Sequence, residues 1–192
     1  MGTTVGLRER KKAETRQAVH EAALRLVVEH GLDAVTVESI ADAAHISRRT
    51  FSNYFAGKED ALLYGEEQRV RTLTEQIRAR PPGETAWQAL CAAAGELLEN
   101  VGEPEREWAQ RTRLAKQHPS LLARQLANLA ALERDLAEAV AGRESPVPPR
   151  LLAAAFMTVM RLAQHLWIEE EQARTMREVV LETLDQMARS FT

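Results

Sequence analysis

Apolar residues recur along this chain at intervals of three and four, the repeat that keeps one face of an α-helix in a core. The first such stripe is Val19, Ala22, Ala23, Leu26 and Val27, in a helix expected over residues 7–30 and stopped by Gly31. Two short helices are expected next. One covers 37–44, with Thr36 as N-cap and Glu38 in its first turn; the other covers 48–55, with Ser47 as N-cap and Gly57 as its stop. Longer periodic segments then span 58–80, 84–101, 105–117, 120–141, 150–169 and 174–191, separated by clusters such as Pro81-Pro82-Gly83 and 145–149. Alternating β-branched runs are nearly absent, so the pattern predicts an all-α chain of about nine helices.

The composition changes near residue 60. Short or medium helices precede it; long Ala/Leu-rich helices with Trp87, Trp108 and Trp167 follow it. Two domains are therefore expected, 1–60 and 61–192. The 192 residues are 45% hydrophobic and 28% charged, enough apolar surface for a core and too much for global disorder. The lone Cys91 permits neither an internal disulfide nor a thiolate zinc site, which suits a reducing, cytoplasmic setting. The N-terminus has no apolar stretch of a secretory signal. The most apolar run, 151–160, is roughly half of what a bilayer needs, so no membrane contact is expected. No P-loop, Gly-x-Ser-x-Gly or His-Glu-x-x-His occurs, and none of the five histidines follows a Glu by three residues, as a di-iron bundle would need. An enzyme is not expected, nor a metal or cofactor.

The chemistry concentrates in 36–58, TVESIADAAHISRRTFSNYFAGK. Ile40, Ala41 and Ala44 lie on one side of the first short helix, and Phe51 and Phe55 on one side of the second. Together with Leu26 and Val27 they can close a small core around a tight turn at Ala44-His45-Ile46, the design of a helix-turn-helix. The other side of the second helix then carries Arg48, Arg49, Ser52 and Asn53, with no acid from Ala43 through Gly57. Arg reads guanine through a bidentate fork and Asn reads adenine, and the first residues of a recognition helix are those that reach base edges. Thr36, Tyr54 and Lys58 are spaced to meet phosphates. An ordinary solvated face is the plainer reading, and the one-signed charge opposite an aromatic face argues against it. A second basic cluster, Arg8, Arg10, Lys11, Lys12 and Arg16, is either a flanking backbone contact or a charged end.

These residues resemble the DNA-binding domain of the TetR family of bacterial transcriptional regulators. The family pattern is matched by Gly31, Thr36, Ile40-Ala41, Ala44, Ile46-Ser47, Phe51, Tyr54-Phe55 and Lys58-Glu59-Asp60-Ala61-Leu62, over residues 10–62. The resemblance implies that 48–55 is the recognition helix and that Tyr54 and Lys58 anchor phosphates; Ser47 and Thr50 are further DNA-binding candidates at its start. It departs at His45, where the family often has Gly, and at Ser52, where an aromatic is frequent. His tolerates the left-handed backbone such a turn requires.

The remaining helices rest on physics. Helix 84–101 offers Trp87, Leu90, Ala94, Leu97 and Leu98, and helix 120–141 offers Leu122, Leu126, Leu129, Leu132 and Leu136. Helices 150–169 and 174–191 are apolar around most of their circumference. A homodimer through these two helices of each subunit buries the excess, and the resemblance implies the same. Met157, Arg161, Gln164 and His165 share one side of helix 150–169. They are either polar groups in an otherwise apolar ligand cavity or polar residues on the dimer seam. Trp108, Arg111 and His118 are secondary ligand candidates. Residues 113–143 also resemble a C-terminal domain of actinobacterial regulators, some of which respond to acyl-CoA thioesters. The sequence thus leads to a dimeric repressor of a palindromic DNA operator, released by a small amphipathic or acyl-type ligand. A constitutive DNA-binding regulator without ligand response is the alternative.

Overall fold

The computed structural model describes residues 3–100, 109, 112–113, 117–170 and 174–189. Eight helices occur among them: α1 Thr3–His30, α2 Val37–Ala43, α3 Arg48–Ser52, α4 Lys58–Ala79, α5 Ala86–Asn100, α6 Pro119–Val140, α7 Pro149–Glu169 and α8 Met176–Ala188. The expected all-α class holds. The helix anticipated at 105–117, with Trp108 and Arg111, lies almost wholly outside the described residues. α1 begins at Thr3, before the expected Leu7. The chain forms two compact units, Met1–Glu67 with Glu107–Leu126, and Gln68–Arg106 with Ala127–Thr192; the boundaries after Glu67 and Leu126 fall within helices, α4 and α6.

The first unit is built on the stripe read from the sequence. Val19, Ala23 and Val27 are buried with Ile40, Ala41, Phe51, Phe55 and Leu62, and Leu26 packs against them. Removing a buried Phe ring such as Phe51 costs about 3–5 kcal/mol in comparable cores. Phe51 and Phe55 have centroids 5.7 Å apart, and Phe55 meets Tyr64 edge-on at 5.6 Å. α1 approaches α4 so closely that a Cβ on Gly65 would stand 2.4 Å from His20 Nε2. The buried His20 donates from Nδ1 to Ala61 O at 2.8 Å. α6 enters this unit through Leu121, which is fully buried, whereas Leu122 and Leu126 are exposed. The sequence stripe had placed Leu122 and Leu126 inward; the periodicity identified the helix but not which side meets a neighbour.

In the second unit α7 packs on α8, and α5 packs on both. Leu152, Phe156, Ala163 and Trp167 of α7 are buried with Val179, Val180 and Leu184 of α8. Trp167 donates its indole N–H to Arg174 O at 3.1 Å. By length and composition alone, α7 could cross a membrane, which the shorter run considered in the sequence did not reveal. α8 is less apolar than expected, because Glu178, Glu182, Asp185 and Gln186 form an exposed polar side. The last turn of α4 is capped by one side chain. Arg143 donates to Ile77 O at 2.8 Å, Arg80 O at 3.0 Å and Pro81 O at 2.8 Å, at the end of the helix where carbonyls run short of N–H donors.

Candidate nucleic-acid interface

Local chemistry shapes each end of the helix-turn-helix. Thr36 caps α2 through a capping box: Ser39 N–H donates to Thr36 Oγ1 at 3.1 Å, and Thr36 N–H donates to Ser39 Oγ at 3.0 Å. The turn then needs one left-handed residue, and His45 supplies it with φ 54°. Ile46 N–H closes the turn on Ala41 O at 2.9 Å. Ser47 caps α3 by accepting from Thr50 N–H at 3.0 Å, and the two hydroxyls lie 2.8 Å apart. Regular α3 ends at Ser52, short of the expected Phe55, while Tyr54 N–H and Phe55 N–H still bond Phe51 O at 2.9 and 3.0 Å.

With Phe51 inward, α3 turns Arg48, Arg49 and Ser52 to solvent, with Ser47 and Asn53 at its ends. Thr50 is half-buried against Ser47. Tyr54 is also half-buried, and the guanidinium of Arg16 sits over its ring, 5.5 Å from the centroid. This ties one member of the second basic cluster to the edge of α3, a neighbour that sequence spacing did not reveal.

Two charged residues have partners the sequence reading missed. Arg48 Nη1 lies 2.8 Å from Glu38 Oε1, so the acid-free stretch is met by a carboxylate from the first turn of α2. Lys58 donates to Leu32 O at 2.8 Å and Val35 O at 2.9 Å, which leaves one of its three N–H groups for another acceptor. Backbone carbonyls carry no sequence signature, so no motif could have disclosed that pairing.

The start of α6 adds a polar band to this unit. Arg124 Nε lies 2.6 Å from Asp60 Oδ1, Ser120 donates to Glu59 at 3.1 Å, and Gln125 donates to Glu66 at 3.2 Å. His118, expected as a ligand group, instead lies 3.2 Å from Asp33 in the loop between α1 and α2. Burial pushes the Glu67 carboxyl upward, with Asp60 adding to the effect.

The other expected ligand residues belong to the second unit. Arg161 and Gln164 are exposed, and Met157 and His165 are half-buried. Arg161 and His165 point away from the buried Leu152, Phe156 and Ala163, and Leu151, Leu162 and Leu166 are exposed on the other flank of α7. Arg161 and Gln164 are therefore open to solvent in the protomer rather than enclosed. Trp108 and Arg111 lie outside the described residues.

Residues 20–64 match the model of the tetR family of bacterial regulatory proteins, and residues 84–192 match that of the MftR C-terminal domain. The regulator TcmR of Streptomyces glaucescens is 32% identical over 173 residues, covering 84% of this chain and 76% of that protein. MftR of Mycobacterium tuberculosis, named for mycofactocin biosynthesis, is 27% identical over 84% of each chain. Among solved structures, Thermus thermophilus FadR, a repressor in complex with lauroyl-CoA, superposes with a TM-score of 0.61 at 22% identity, covering 92% of this chain and 95% of that one. The family models cover the helix-turn-helix and most of the helices that follow it, and the chain is a transcriptional regulator that belongs to the TetR family.

Proposed function

We propose that this chain is a cytoplasmic repressor that binds a palindromic operator as a homodimer and releases it when a small amphipathic ligand binds. The observation that carries the DNA half is α3, with Phe51 buried beneath it and Arg48, Arg49, Ser52 and Asn53 facing solvent. In this reading Arg48, Arg49 and Asn53 read base edges, and Thr36, Ser47, Thr50, Ser52, Tyr54 and Lys58 contact the backbone.

Regulators of this family bind DNA as dimers, and the exposed Leu151, Leu162 and Leu166 supply an apolar surface for pairing through α7. Arg161, Gln164 and His165 then flank that seam. A ligand of acyl type is supported by the lauroyl-CoA bound to the FadR relative in fold. α4 runs from the first unit into the second, so it is the element through which occupancy would alter the spacing of the two recognition helices.

Genomic fragments captured by the purified protein test the reading. Fragments sharing a two-fold-symmetric motif, released by acyl thioesters, are the expected result. Shared fragments that no acyl thioester or amphipathic acid releases favour the constitutive regulator, and random capture defeats the proposal.

A further inference from the structure

The Glu38–Arg48 pair joins the first turn of α2 to the first residue of α3, across the turn of the helix-turn-helix. Both side chains are exposed, at 72% for Arg48 and 53% for Glu38. An exposed ion pair adds little to folding, because water screens it and two long side chains lose rotamer freedom. Glu38 also takes no part in the capping box, which Thr36 and Ser39 complete by themselves. Arg49, the next residue, carries no ion pair among the described residues. The pair therefore distinguishes one of two adjacent arginines.

A guanidinium holds its five N–H groups in a rigid planar fork. With Nη1 on Glu38, the edge formed by Nε and Nη2 stays free and its orientation is restricted. That edge can make the bidentate contact to guanine O6 and N7. An unrestrained arginine loses its rotamer freedom on reaching any acceptor, a phosphate or a base alike. One held beforehand loses less for the single geometry in which it is held. The carboxylate meanwhile repels phosphates of every sequence equally. Both effects lower indiscriminate binding relative to binding at a matching base.

We propose that Glu38 is a specificity-determining positioning residue, which presents Arg48 to one guanine of each half-site. This rests on the DNA-binding reading above. The test is selection from a pool of duplexes with a randomised centre, using the full-length protein, Glu38→Ala, Arg48→Ala, Arg49→Ala and the double variants. Thermal unfolding of Glu38→Ala, with Glu38→Gln as a second variant that retains the shape, checks the fold. Glu38→Ala should lower discrimination at one base position by about two- to fivefold. The loss should persist in the Arg49→Ala background and vanish in the Arg48→Ala background. Two results overturn the inference alone: stronger binding to all duplexes with base preferences intact, or the same change with and without Arg48. A wild-type protein that enriches no motif overturns the DNA-binding reading itself.

Discussion

Arg124 of α6 places its Nε 2.6 Å from the carboxylate of Asp60, in the first turn of α4. Asp60 also accepts from Ala56 N–H at 3.2 Å, so one carboxylate fixes the loop after α3 and receives an arginine from more than sixty residues along the chain. Arg124→Ala leaves the loop bond in place, whereas Asp60→Ala removes both. We predict that Arg124→Ala lowers stability by up to about 1 kcal/mol, as exposed pairs do. Asp60→Ala should cost more, because the Ala56 N–H also loses its acceptor. Chemical unfolding of the single and double variants measures both, and equal losses would contradict the dual role.

Lys58 should show two separable effects. Lys58→Met strips two carbonyls of a charged donor, a class of bond that contributes about 1.5–3 kcal/mol. A fall in melting temperature should follow. If the remaining N–H meets a phosphate, the slope of log affinity against log salt also falls by roughly one. An unchanged slope with lowered stability would make Lys58 a brace for the loop between α1 and α2 and remove it from the phosphate set.

Leu162 and Leu184 separate assembly from folding. Leu162 is exposed in the protomer and Leu184 is buried. Leu162→Glu should weaken the dimer by about a hundredfold or more while the protomer stays folded, since it places an unpaired charge in the seam. Leu184→Arg should unfold the second unit, because it forces a charge into the protomer's own core. Sedimentation paired with circular dichroism distinguishes these, and an unaffected dimer for Leu162→Glu would move the interface elsewhere.

Glu84 gives an acid-dependent signature. A hydrogen bond from Arg80 holds its carboxyl below the usual carboxylate range, and Arg80 also lies 2.5 Å from Glu96. A lowered folded value means the contribution is present above the ordinary carboxylate value and is lost as pH falls through the lower folded one. Glu84→Gln should flatten the acid limb of the stability profile and leave the alkaline limb alone. An acid limb identical to wild type would show that Glu84 contributes nothing there.

What the sequence disclosed was local. Thr36, Ser47 and His45 act within a few residues of themselves, through caps and one backbone angle, and all three were legible. Val19, Ala23, Phe51 and Phe55 were legible because helical spacing selects an inward side. The partners of Arg48, Lys58, Asp60 and His118 were not, because each lies on another element or is a backbone carbonyl. Leu121 and Leu122 show the same limit: adjacent leucines of one helix, and only the packing decides which is buried.

The central claim is that two copies of α3, related by two-fold symmetry, read one operator. Hydroxyl-radical footprinting of a captured genomic fragment tests it most directly. The account predicts two equivalent protected patches whose centres lie one helical turn, roughly 34–36 Å, or a multiple of it apart. A single unsymmetrical patch, or protection that follows no motif, would contradict it.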